Sequence, residues 1–276
     1  MIEDTARNLV NLKKEFAKTY DGQSQIQEVI PVSNSKSFPI PQENLELLHK
    51  FATDNPIYYN SFEKIIGKIP CVVYEGDINK YWLNSIQHGS SHAPFSPTWI
   101  MSAYVGTLVA KNFGYSEIID IGSGDGRIAF CAQVLGLESH SIEIDNMLVD
   151  LQKTLAINNF HTYCSDATTF DYLSLNLTKP VFFIGGLAQM GGVVLASGVL
   201  EKINSISSLK ENSGWVFAGT YSQKYAQDPK NVAGWGTLLE KNNLKSTQTI
   251  VLPTVWTFHE SDETPYVFAQ TNSNPN

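Results

Sequence analysis

Cysteine is scarce in this chain. Cys71, Cys131 and Cys164 are odd in number and far apart in 276 residues, which suits reduced thiols better than a disulfide framework or a zinc site. Each is expected as a small core residue. Long apolar runs are missing as well: no stretch approaches the ~18 residues that span a bilayer, and Met1-Ile-Glu-Asp-Thr-Ala-Arg7 lacks the basic and apolar regions of a signal peptide. A cytoplasmic chain with no membrane partner is the expectation. Basic residues are outnumbered, 19 Lys/Arg against 27 Asp/Glu, for a net charge of −8. The deficit is concentrated after position 116, where the balance is −7 against −1 before it. Such a field repels phosphate backbones and attracts cations, so nucleic acid is disfavoured and a basic protein or small cation is favoured as partner. His88 and His92 stand four apart, but Pro94 and Pro97 argue against a helix that would pair them on a metal, and no metal is expected.

What is present sharpens after residue 96. Ser96 is placed to cap a helix over 97–113 that starts on Pro97, and Gly114 to close it. Strands and helices then alternate: strand 116–121, helix 126–135, strand 139–143, helix 146–157, strand 160–164, strand 180–184, helix 192–205 and strand 214–219. That order predicts a mostly parallel sheet with helices on both faces. The unbroken apolar runs Val181-Phe-Phe-Ile184 and Trp215-Val-Phe217 fit strands buried on both sides. Thr247 to Phe258 and Pro265 to Thr271 read as a C-terminal hairpin.

The first third has a different character. Ala6, Leu9, Leu12, Phe16 and Tyr20 predict an amphipathic helix over 3–20. The Pro- and Ser-rich segment 21–42 reads as an extended connector. Helical patterns follow around Leu45 to Phe51, Tyr58 to Ile66 and Asp77 to Ile86, with a small apolar run at Cys71 to Tyr74. The expected organisation is a helical cap over 1–95 on a larger α/β unit over 96–276.

The chemistry centres on Asp120-Ile-Gly-Ser-Gly-Asp-Gly-Arg127, where an apolar strand opens into three glycines at spacing two. Ligands in open α/β sheets bind beyond the carboxyl ends of the strands, and glycines there let a ligand approach the backbone. The dinucleotide fingerprint G-x-G-x-x-G would need its third glycine at 127, where Arg127 stands. One strand later Glu143 closes Ser141-Ile-Glu-Ile-Asp145, positioned for ribose hydroxyls, while Asp145 serves as cap of the next helix. A third acid, Asp166 in Ser165-Asp-Ala167, stands at the same sheet edge, as a ligand contact or a plain turn aspartate.

With these residues the chain resembles the class I, Rossmann-like, seven-strand S-adenosylmethionine-dependent methyltransferases over roughly 96–271. The resemblance implies that Gly122, Ser123, Gly124, Asp125 and Gly126 line the cofactor's methionine part and that Asp120 orients its amino group. It implies that Glu143 and Ile144 meet the ribose, that Asp166 and Ala167 meet the adenine, and that Gly185 borders the site after the fourth strand. Ala93-Pro-Phe-Ser-Pro-Thr98 with the glycine turn is similar to archaeal protein lysine methyltransferases, which makes Phe95, Ser96, Pro97 and Thr98 candidate lid residues. The family members that methylate planar amides or adenine share an Asn/Asp-Pro-Pro-Tyr/Phe motif after strand four. This chain has Ile184-Gly-Gly-Leu-Ala-Gln-Met-Gly-Gly192 instead, which argues against such acceptors. The acceptor expected is a protein lysine, with a small molecule or a non-catalytic cofactor-binding role as alternatives. Tyr81, Trp82, Tyr104, Tyr221 and Trp256 are candidates for an apolar acceptor channel, though core packing explains most of them. No catalytic residue is singled out.

Overall fold

A computed structural model describes residues 2–88, 94–155, 157, 160–185, 191–219, 225–231, 233–254 and 263–272. Alternation of strand and helix builds the larger unit as expected: α4 (Ile100–Asn112), β4 (Glu117–Ile121), α5 (Arg127–Val134), β5 (Glu138–Glu143), α6 (Asn146–Leu155), β6 (Phe160–Cys164), β7 (Pro180–Ile184), α7 (Gly192–Asn204) and β8 (Gly214–Phe217). Two short helices that sequence reading missed, α8 (Ser207–Asn212) and α9 (Gly236–Lys241), flank β8 before the hairpin β9 (Leu244–Pro253) and β10 (Glu263–Thr271). The sheet runs β6-β5-β4-β7-β8-β10-β9, parallel throughout except for β10, which is antiparallel to both neighbours. Strand order reverses beside β4, and there the carboxyl ends diverge into a crevice.

The side chains explain why both faces are covered. Successive strand residues point to opposite sides, so Ile118, Val181, Phe183, Val216 and Phe268 join the apolar layer that contains residues of α1 (Ile2–Thr19), α4, α5 and α6. Ile119, Ile121, Phe182, Ile184 and Phe217 join the opposite layer with α7, α8 and α9. Among the described residues no helix is long and apolar enough to cross a membrane.

The N-terminal third carries a sheet that periodicity concealed. Strands β1 (Ile26–Pro31), β2 (Tyr58–Ile66) and β3 (Ile69–Gly76) form an antiparallel sheet in the order β1-β3-β2, with α2 (Gln42–Asp54) and α3 (Asn79–Ser85) beside it. Segment 21–42 is therefore not simply a connector, because β1 lies within it, and the pattern at 58–66 is a strand, not a helix. Its spacing of Tyr58, Phe62 and Ile66 mimics a helical face only because β2 is an edge strand exposed along most of its length, so no alternation of buried and exposed residues marks it. Residues on both sides of position 95 share one apolar core, from Leu9 and Leu48 to Trp99 and Ile118.

Two local expectations also change. Helix α4 begins at Ile100, since a residue before proline is disfavoured in helical backbone and Ser96 stays outside the helix. The Ile100 N–H at the observed helix start is taken by Glu28 Oε1 of β1 at 2.9 Å. Cys71 and Cys131 are buried as expected, but Cys164 is exposed because β6 is an edge strand.

Candidate functional site

A cavity opens at the carboxyl ends of β4, β5 and β7, where the strand order reverses. It is lined by Asp120, Gly122, Ser123, Gly124, Asp125, Glu143, Ile144, Asp166, Ala167 and Gly185, with Phe95, Ser96, Pro97 and Thr98 on the N-terminal side and Ala218, Gly219, Thr254, Thr264 and Tyr266 on the other. Most of the predicted site residues thus meet around one space.

The glycine turn is left-handed at residues 122, 124 and 126. At Gly124 (φ +58°) an added Cβ would lie 2.7 Å from the Phe95 ring, so the residue satisfies both a backbone conformation and a close approach. Gly126 departs from the expectation. It does not line the cavity; it sits at φ +77° where α5 begins, pressed toward Phe160 and Gln152, and serves packing between helix and sheet. Gly185 borders the cavity, and a Cβ there would meet none of the described residues within 4 Å.

Asp120 is buried, and burial pushes its carboxyl well above the usual carboxylate range. Its one described partner is the Ala129 N–H, 3.3 Å from Oδ2. Oδ1 has none among the described residues, so the cavity side of this carboxyl is left for a ligand donor. Glu143 is better provided for: Oε2 accepts from the Gly124 N–H at 2.8 Å, and Oε1 from the Ile144 and Asp145 N–H groups at 2.8 and 3.0 Å. Burial raises its pKa while these bonds oppose the rise. A carboxylate offers about four acceptor positions, and three are occupied here. A grip on both ribose hydroxyls therefore needs shared bonds, a tighter situation than the sequence suggested. Asp145 caps α6 through the Met147 N–H at 2.8 Å, as expected. Asp166 Oδ1 takes the Thr168 N–H and hydroxyl, both at 2.8 Å, the turn-aspartate reading, while its other oxygen has no partner among the described residues.

Two members of the expected cofactor set look inward. The Ser123 hydroxyl accepts from Ser141 at 2.5 Å and from Gln152 at 2.9 Å, which braces the turn from beneath. Asp125 is committed to Arg127, whose Nε lies 2.9 Å from Oδ1, and to Asn55 Nδ2 at 2.9 Å. Its carboxylate is consumed in holding the protein together, because a buried cation at the adjacent helix start demands an anion.

Sequence reasoning missed that cation's reach. Arg127 Nη1 donates to Glu28 of β1 at 3.1 Å and to the Thr98 carbonyl, Nη2 donates to Tyr58 of β2 at 3.3 Å, and the guanidinium lies over the Phe51 ring. The loop from Pro94 to Trp99 is held at both ends, by the Phe95 N–H on Ser85 Oγ at 2.8 Å and by Arg127 on Thr98. Phe95 and Thr98 are thus fixed wall residues. The only local sign was an arginine where the rival motif wants glycine.

The aromatic candidates divide. Tyr104 is core, bonded to Asn44 at 2.9 Å; Tyr81 packs edge-on to Phe95; Trp82 is partly buried against the core. Tyr221, Trp256, His92 and Gly186 lie outside the described residues. Tyr266 and Thr264, which sequence reading overlooked, reach the cavity because β10 runs antiparallel and brings its first residues to the carboxyl edge.

The chain matches no family profile and no curated protein sequence. Among solved structures it is similar to an S-adenosylmethionine-dependent methyltransferase from Methanosarcina mazei (14% identity, 59% of this chain and 96% of that one, TM-score 0.46). It is also similar to a magnesium protoporphyrin IX methyltransferase from Synechocystis with bound S-adenosylmethionine (13%, 63% and 78%, 0.44). A third similarity is to a putative RNA methyltransferase from Pyrococcus horikoshii (12%, 62% and 84%, 0.44).

Proposed function

We propose that the chain is an S-adenosylmethionine-dependent methyltransferase. The observation that carries this reading is the convergence of Asp120, Glu143 and Asp166, from three neighbouring strand ends, on one cavity floored by a left-handed glycine turn. The residues fit the cofactor: Asp120 keeps an oxygen with no partner among the described residues for an amino group, Gly122 leaves backbone exposed, and Asp166 keeps one oxygen for an exocyclic amine. When bound, S-adenosylmethionine supplies an electrophilic methyl carbon. The chain's own residues contribute position and exclusion of water. Phe95 walls the methionine end, and alignment of nucleophile and carbon at ~3 Å lowers the barrier by several kcal/mol without a covalent catalyst.

The acceptor we propose is a protein lysine. Support comes from the −7 balance of the cavity-bearing part, which draws cations, and from the apolar wall of Phe183, Ile184, Leu195 and Ala218, where a neutral amine is favoured over its ammonium form. Calorimetry with S-adenosylmethionine tests the class, and an absence of binding overturns it. Radiolabelled methyl transfer into a fractionated lysate tests the acceptor: counts in protein lysine are expected, and counts confined to RNA or metabolites overturn that assignment.

A further inference from the structure

Sheet order divides the cavity into two ends. Glu143 follows β5 and Asp166 follows β6, both on one side of β4, so the nucleoside end lies there. The other side, over β7, β8 and β10, is left for the acceptor. The described lining on that side is Phe183, Ile184, Gly185, Ala218, Gly219, Thr254, Thr264 and, from the loop before α4, Thr98; the one titratable group among them is Tyr266.

Tyr266 is 2% exposed, and its phenol oxygen lies 2.8 Å from Thr98 Oγ1. Thr98 is itself held by Arg127 on its carbonyl, so the phenol is supported from the glycine-turn side as well as from β10. The two hydroxyls together carry two protons and four lone pairs. Their mutual bond uses one of each, and neither oxygen has a further partner among the described residues. A hydroxyl pair that lines a cavity and keeps a proton and lone pairs beyond its mutual bond has the capacity to meet a ligand there. Burial keeps the phenol protonated, with its pKa pushed up to about 12, so it is no base at neutral pH.

Resting on the methyl-transfer reading above, we infer that Tyr266 is an acceptor-positioning residue: with its own proton on Thr98, its oxygen accepts an N–H from the acceptor amine and turns the nitrogen lone pair toward the methyl carbon. The acceptor class is thereby a neutral amine that still carries an N–H. Orientation of this kind separates turnover from cofactor affinity, because the group acts on the acceptor alone.

The test compares the wild-type chain with Tyr266→Phe and Thr98→Val, measuring S-adenosylmethionine affinity by calorimetry and methyl transfer at saturating cofactor into the lysate protein fraction that the wild type labels. The expected result for Tyr266→Phe is an affinity within threefold of wild type with transfer slowed tenfold or more. Thr98→Val, which leaves the phenol without its anchor, is expected to slow transfer in the same direction and carries the test if the phenylalanine variant fails to fold. Transfer at the wild-type rate in the variants overturns the inference, as does a tenfold loss of cofactor affinity with saturated transfer intact, which would assign the hydroxyl pair to the cofactor. A wild-type chain that binds no S-adenosylmethionine, or binds it and labels nothing, sinks the methyl-transfer reading itself.

Discussion

Arg127 Nη1 and Glu28 Oε2 lie 3.1 Å apart, both side chains almost wholly buried, although 99 residues separate them in the chain. The same guanidinium holds Asp125 in the glycine turn. One cation therefore joins the N-terminal sheet to the glycine turn, and two carboxylates share it.

Removal of that cation leaves two buried acids uncompensated. Arg127→Ala is expected to destabilise the fold by about 3–5 kcal/mol, the range for breaking a buried pair, in urea denaturation. Glu28→Gln keeps an acceptor for the Ile100 N–H and is expected to cost less than half as much at pH 7. Equal losses would show that the cost comes from losing the Glu28–Arg127 pair and not from leaving two acids uncompensated.

Stability should also respond to pH through Glu28, whose pKa burial raises from 4.5 to about 7 against the opposing pull of Arg127. Between these values the folded state binds more protons at this site than the unfolded state does. Its contribution is therefore full below about pH 4.5 and is lost as pH rises through 7. Relative to Glu28→Gln, wild type is expected to lose stability from pH 5 to pH 8 by up to about 3 kcal/mol, from 1.36 kcal/mol per unit. Parallel denaturation curves for the two proteins across that window would refute the assignment.

Glu143 orders the turn and faces the cavity at once. Glu143→Ala is expected to weaken S-adenosylmethionine by about 1.5–3 kcal/mol, the usual worth of hydrogen bonds to a charged group. Calorimetry reads this directly, and an unchanged affinity would remove Glu143 from the cofactor site.

Glycine should matter at 124 and not at 185. Gly124→Ala forces a side chain into left-handed backbone, which costs about 1–2 kcal/mol, and toward Phe95 at 2.7 Å. The double variant Gly124→Ala/Phe95→Ala is expected to be less destabilised than the sum of its single variants, since the clash is gone while the backbone strain stays. Gly185→Ala meets nothing within 4 Å among the described residues and is expected within ~0.5 kcal/mol of wild type. Thermal unfolding compares all four.

Legibility in the sequence followed the range of the interaction. Strands β4, β5, β7 and β8, the glycine turn and Glu143 announce themselves because burial on both faces and a positive-φ turn impose local patterns. Strand β2 does not, because an edge exposed to solvent imposes none. Gly126 was grouped with the cofactor on motif position alone, whereas Phe160 and Gln152, the neighbours that claim it, come from packing. Tyr266 gave no local sign: its place at the cavity depends on β10 running against its neighbours.

By itself, then, the sequence determined the alternating α/β plan and put the glycine turn, Glu143 and Asp166 at neighbouring strand ends, since both are written within a few positions of one another. Which of those groups remain open to a ligand was decided only in three dimensions. Burial made Arg127 claim Asp125, Glu28 and the Thr98 carbonyl from three separate segments, and a hydrogen-bond requirement spread over 99 residues leaves no spacing to read.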